Sequence, residues 1–149
     1  MRKKLFSLVI AIVLAVTAFS VPITAYAGTV DGKQAFACTG VECYNTYSRI
    51  QTNSTHAVAY QFTRCTSSSA VAGEIGSLAR LYRSSGALYS SSGWQYNGST
   101  YGQNVAIGAN VTTAQPRGTS WFAKGSAQYY LNGGYQTLTS YQTRNQTVA

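Results

Sequence analysis

Strict alternation of side chains over the last third of this chain constrains its fold more than any other feature. Trp121, Ala123, Gly125, Ala127, Tyr129 and Leu131 fall on one parity, and Phe122, Lys124, Ser126, Gln128 and Tyr130 on the other. A period of two is that of a strand with two different faces. Asn132-Gly133-Gly134 comes next, residues that accept positive φ at little cost. Tyr135, Thr137, Thr139 and Tyr141 then alternate with Gln136, Leu138, Ser140 and Gln142. The pattern predicts a terminal β-hairpin. The same alternation recurs over His56 to Arg64, Ile75 to Tyr82, Trp94 to Tyr96 and Val105 to Val111, with Ser84-Ser85-Gly86 and Asn97-Gly98 as turns between them. No apolar stripe at helical spacing competes with it. Six or seven strands predict one antiparallel β-sandwich, with a barrel as the alternative.

The beginning of the chain has a different character. Arg2, Lys3 and Lys4 precede a 15-residue apolar run from Leu5 to Phe19, and Ala25-Tyr26-Ala27 places small residues where a signal peptidase reads them. This is the layout of a secretory signal peptide over residues 1–27, cleaved to leave one domain over 28–149. The run is shorter than the ~20 residues a membrane span needs. No cysteine directly follows the cleavage point, and residues 143–149 hold no hydrophobic tail or basic cluster, so export without a stable membrane anchor is expected. Within the mature domain, residues 28–54 are expected to be loosely structured. Losing the three basic residues of the signal takes the formal charge from +8 to +5. The remaining basic residues are scattered singly, which argues against nucleic acid as a partner and leaves anionic cell-wall polymer as a candidate.

Cys38, Cys43 and Cys65 allow one bridge in an oxidising compartment. The pairs 38–43, 43–65 and 38–65 are all open. Cys38–Cys43 is favoured because Thr39-Gly40-Val41-Glu42 can turn the chain back. One histidine and no Cys-x-x-Cys pair give no usual zinc spacing, so no metal and no cofactor are expected. Catalytic sets are equally thin. His56 is the sole histidine, and a strand of nine residues separates it from Cys65 by ~30 Å. Glu42 and Glu74 are the only plausible carboxylate pair for glycoside hydrolysis. A small wall hydrolase would need Glu42, Glu74 or His56 in one cleft, and no catalytic residue is assigned.

Aromatic residues carry more information. Eleven tyrosines remain after processing, with Trp94 and Trp121. Tyrosines on a solvent face form platforms for sugar rings or peptides, because each joins an apolar ring to a polar tip. Tyr130, Tyr135 and Tyr141 on the terminal hairpin are the candidate binding residues, with Lys124 and Arg144 as nearby positive charge.

Two stretches together carry a resemblance. The first is Leu78-Ala79-Arg80-Leu81-Tyr82, Ser85-Gly86-Ala87-Leu88 and Trp94-Gln95-Tyr96-Asn97. The second is Phe122-Ala123-Lys124-Gly125, Tyr129-Tyr130, Asn132-Gly133-Gly134-Tyr135 and Thr137. Over about residues 73–145 the chain resembles a group of uncharacterised small exported β-rich proteins of Gram-positive bacteria. That resemblance implies that a cysteine can stand at the position of Tyr89, where it would bridge to Cys65. A weaker likeness is to bacteriocins of the lactococcin 972 type. Neither implies catalytic residues. The function expected is a secreted, non-catalytic binding protein acting on cell-wall polymer or glycan, and the alternative is a secreted bacteriocin-like antibacterial effector.

Overall fold

A computed structural model of the chain describes residues 28–39, 42–66, 70–98 and 106–149. The signal segment expected over residues 1–27 lies outside them, as does Val105. Among the described residues the protein is all-β, and no helix is long and apolar enough to cross a membrane.

The first sheet is built from β1 (Thr29–Asp31), β2 (Ala35–Thr39), β3 (Glu42–Thr52), β4 (His56–Cys65) and β9 (Ala106–Ala114). Its order is β1-β3-β4-β9, with β2 also pairing β3. Within residues 28–54, expected to be loosely structured, the described residues form β1, β2 and β3, and β3 is a central strand, held on one side by β1 and β2 and on the other by nine residue pairs with β4. Alternation in this stretch is masked by polar residues, since the buried positions of β3 include Thr46, Ser48 and Thr52.

The remaining strands are β5 (Ile75–Leu78), β6 (Arg80–Arg83), β7 (Leu88–Ser91), β8 (Gln95–Tyr96), β10 (Ser120–Ala123), β11 (Ser126–Leu131), β12 (Gly134–Thr139) and β13 (Gln146–Thr147). They form two four-stranded antiparallel sheets, ordered β13-β10-β6-β7 and β12-β11-β5-β8. None of the sheets closes into a barrel. The two lie end to end, because each strand of one continues into a strand of the other. The central columns keep one register across the gap. Ala123 pairs Leu81 and Ser126 pairs Leu78, which leaves Lys124 and Gly125 opposite Arg80 and Ala79. Alternation thus runs unbroken through Ile75 to Arg83 and Ser120 to Leu131, while the regular ladder lapses at mid-length, with Lys124 N–H still donating to the Arg80 carbonyl at 3.2 Å. The lapse, together with β1 to β3 in a stretch where the sequence pattern predicts no strand, gives thirteen described strands where that pattern counts six or seven.

Backbone donors released at the lapse are taken up by side-chain hydroxyls, as buried N–H groups must be. Gly125 N–H donates to Ser48 Oγ (2.9 Å) and Ser140 Oγ (3.1 Å). Ala79 N–H donates to Ser92 Oγ (3.0 Å), and Ala123 N–H to Thr143 Oγ1 (3.0 Å). Gln61 completes the arrangement by accepting from Ser48 Oγ (2.6 Å) and donating to Thr46 Oγ1. The interior is consequently two apolar clusters separated by polar side chains. One holds Ile50, Ala57, Ala59, Leu81, Trp121, Ala123 and Val148. The other holds Tyr44, Cys65, Ala70 and Ile75, with Tyr129 packed against it.

On β4 the buried face carries Ala57, Ala59, Gln61, Thr63 and Cys65, and the larger Val58, Tyr60 and Phe62 lie on the opposite, half-buried face. Small inward residues let the sheets approach closely enough for the hydroxyl contacts. Outside, Tyr47 stacks on Phe62 (4.9 Å between centroids), and Arg49 lies over Phe62 while pairing with Asp31 at 2.6 Å.

Cys38 and Cys43 are opposite one another in the β2–β3 hairpin and form the disulfide. Cys65 is buried in the second cluster. Tyr89 is edge-on to Trp121 in the first cluster, at the other end of the run from Ile75 to Arg83, so positions 65 and 89 do not face each other. The bridged loop is short, so the chain-entropy model limits its contribution. Replacing both Cys38 and Cys43 by serine is expected to cost about 2 kcal/mol in denaturant melts and to leave the far-ultraviolet spectrum unchanged.

Candidate functional site

The outer face of the β12-β11-β5-β8 sheet carries a run of aromatic side chains in contact. Glycine starts it. Gly76, in mid-β5, pairs with Tyr96 on one side and Gln128 on the other. With no side chain at 76, the Tyr96 ring lies across β5 and its hydroxyl donates to Gln128 Oε1 at 2.5 Å. A Cβ at position 76 would stand 2.8 Å from Tyr96 Cε1. The ring goes on to meet Tyr135 (5.3 Å), which is edge-on to its cross-strand partner Tyr130 (5.3 Å). Trp94 extends the run behind Tyr96 at 6.2 Å. Tyr96, Tyr130 and Tyr135 are each 40–46% exposed, so solvent reaches the run along its length. Partial burial, with Tyr135 beside it, raises the Tyr96 phenol above its ordinary pKa.

One end of this face drops into a cleft of about 270 Å³ lined by Val71, Ala72, Gly73, Glu74, Tyr130 and Tyr135. Asn97 builds its wall. Buried where the chain leaves β8, Asn97 accepts Ile75 N–H on Oδ1 (3.0 Å) and donates from Nδ2 to the Val71 carbonyl (2.7 Å). Its own carbonyl accepts Gly73 N–H at 2.8 Å. Gly73, at φ +78°, makes the turn that a side chain would strain. Tyr135 fastens the cleft by donating its hydroxyl to the Gly73 carbonyl (2.6 Å).

Glu74 sits at the back of the cleft. Its carboxylate accepts Val71 N–H at 2.5 Å and stands 3.3 Å from the Tyr44 hydroxyl, which also donates to Glu42 at 2.6 Å. Glu42 and Glu74 thus meet at one oxygen. Tyr44 is 1% exposed and stacks on Tyr129 (4.8 Å). Burial, then the hydrogen bond to Glu42 and the two carboxylate charges, drives its phenol far above the ordinary value, so it stays a neutral donor.

Of the residues proposed from sequence, Tyr130 and Tyr135 come together here. Tyr141 instead stands beneath Lys33, whose amine lies 5.4 Å from its ring. Six residues of extended chain put it up to about 20 Å from Tyr135. Lys124 is half-buried at the lapse opposite Arg80, and Arg144 is exposed beyond Ser140; neither lines the cleft. His56 begins β4 and Cys65 ends it, while Glu42 and Glu74 share the Cys65 end. Sequence reasoning missed Trp94, Tyr96 and Asn97 as parts of the site. The available signal was Gly76, a glycine inside a strand pattern, which marks close approach by another group. No protein-family model matches this chain and no curated protein is significantly similar to it, so the site stands on its geometry.

Proposed function

We propose that this chain is a secreted, non-catalytic β-sandwich protein that binds a glycan on the outer aromatic face of its four-column layer, at the bacterial surface or in the surrounding medium. The observation that carries the reading is the continuous Trp94–Tyr96–Tyr135–Tyr130 run on a face that solvent reaches. Exposed rings with hydroxyl tips suit sugars, which offer apolar C–H faces edged with hydroxyls. The disulfide fits an oxidising, extracytoplasmic setting.

The test is sedimentation of the protein with intact Gram-positive cell walls, before and after removal of their anionic polymers, across a salt series. Binding is expected to survive both stripping and salt. Tyr96→Ala and Gly76→Ala, which remove or displace the central ring, are each expected to weaken it about tenfold, the scale of one well-packed aromatic contact. Binding that vanishes on stripping would move the ligand to the anionic polymer. No sedimentation under any condition would defeat the proposal.

One observation favours a second reading. Paired carboxylates cleave glycosidic bonds, and Glu42 and Glu74 meet at Tyr44. Release of soluble sugar from the same walls, abolished by Glu74→Gln, would establish it.

A further inference from the structure

The acidic residues of this basic chain are unevenly placed. The sequence holds three, against eleven lysines and arginines. Asp31 is engaged by Arg49 on the outer face of the first sheet. The other two converge on Tyr44, and one of them, Glu74, lines the cleft at the end of the aromatic face. Tyr44 gives up one hydrogen bond and keeps its proton, so it bridges these carboxylates without cancelling their charge.

The rest of the lining has a matching character. Tyr130 and Tyr135 stand at 76° to each other, and Val71, 63% exposed, faces them as an apolar lip. Two aromatic rings with a carboxylate between apolar walls are the elements that hold an ammonium group, by ring quadrupole and by charge. An anionic polymer would be repelled at the same place. A cleft of about 270 Å³ admits a single sugar unit rather than a folded partner.

We infer that the cleft takes the protonated amine of an amino sugar, so that the aromatic face selects polymers of de-N-acetylated hexosamine over their acetylated counterparts. The inference rests on the glycan reading above and names its ligand class. One sugar ring packs against Tyr96 and Tyr135 while the ammonium of a neighbouring unit approaches Glu74.

Calorimetric titration with a glucosamine hexamer, an N-acetylglucosamine hexamer and a lysine hexapeptide at pH 6 and low salt tests it. The glucosamine hexamer is expected to bind at least about tenfold more tightly than the acetylated one. That preference should shrink as salt rises, and as higher pH neutralises the sugar amine. Glu74→Gln retains an acceptor for Val71 N–H and should bring the two oligosaccharides to within about threefold of each other. Equal affinities in the native protein, or a preference untouched by both salt and Glu74→Gln, would overturn the inference and leave the glycan reading intact. Tighter binding of the lysine peptide would overturn it in favour of a peptide amine. Failure of every oligosaccharide to bind would remove the glycan reading as well.

Discussion

Gly125→Ala is expected to cost at least about 3 kcal/mol of stability, a large fraction of the ~5–15 kcal/mol that holds an ordinary domain folded. Nothing about the glycine's backbone requires it, since its φ is not positive. Space does. An added methyl would fall deep inside contact distance of the Leu78 carbonyl oxygen and of Gln61 Oε1, and 2.7 Å from Gln61 Cδ. The Gln61 side chain can swing away only by breaking its bonds to Ser48 and Thr46, which would leave buried polar groups unsatisfied. The Leu78 carbonyl belongs to the central column and cannot move without parting β5 from β11. Denaturant melts of Gly125→Ala and of Gly125→Ala with Gln61→Ala check this. The second substitution should recover only part of the loss, because the carbonyl remains. A single variant within 1 kcal/mol of the native protein would show that the layers do not approach so closely at the lapse.

Trp121→Ala is expected to cost about 3–5 kcal/mol, the range for emptying a large aromatic from a core. Trp121 is 2% exposed and is the largest side chain in the first apolar cluster. Tyr89 packs edge-on against it at 5.0 Å, Arg83 lies over it at 5.7 Å, and its indole N–H donates to Thr119 Oγ1 at 2.9 Å. Removing it opens a cavity and exposes the polar groups that it satisfied. The second tryptophan provides the contrast. Trp94 is half-buried at the end of the surface aromatic run, and its alanine variant should lose less than about 1 kcal/mol in the same melts. Equal losses at the two positions would contradict the placement of one inside and one outside.

Tyr89 shows how local this first cluster is. Side-chain hydrogen bonds with Gln115 and Thr113, aided by the Arg83 guanidinium, hold its phenol below the ordinary value. Those contacts tie β7 across to the end of β9 and the residue after it, so a polar tyrosine joins Val30 and Val111 around the cluster.

Alternation and turn chemistry were enough to establish the all-β class, because a period of two with Gly and Asn punctuation has no competing helical reading. They also placed the terminal hairpin. Asn132 and Gly133 take φ of 50° and 85°, as a two-residue turn between antiparallel strands requires. The Cys38–Cys43 pairing was legible for the same local reason, two thiols on either side of a four-residue return. Periodicity says only that strands have two faces, however, and not which face is inward. On β4 the alanines and Gln61 went in and the aromatics went out, since the facing layer presents Gly125 and Ser140 and leaves no room for rings. The lapse at Ala79 and Gly125 was invisible locally because the alternation runs through it without a slip. The cleft was invisible too. It needs Tyr96 to cross Gly76 and Asn97 to fold residues 71–75 back, contacts spanning 20 or more positions that only packing brings about. Local sequence therefore determined the all-β class and the terminal hairpin with its turn, where neighbouring residues decide the backbone, but not β1 to β3, since the buried positions of β3 are largely polar. The inward face, the polar middle and the acid-backed aromatic cleft were decided by which sheet lay opposite.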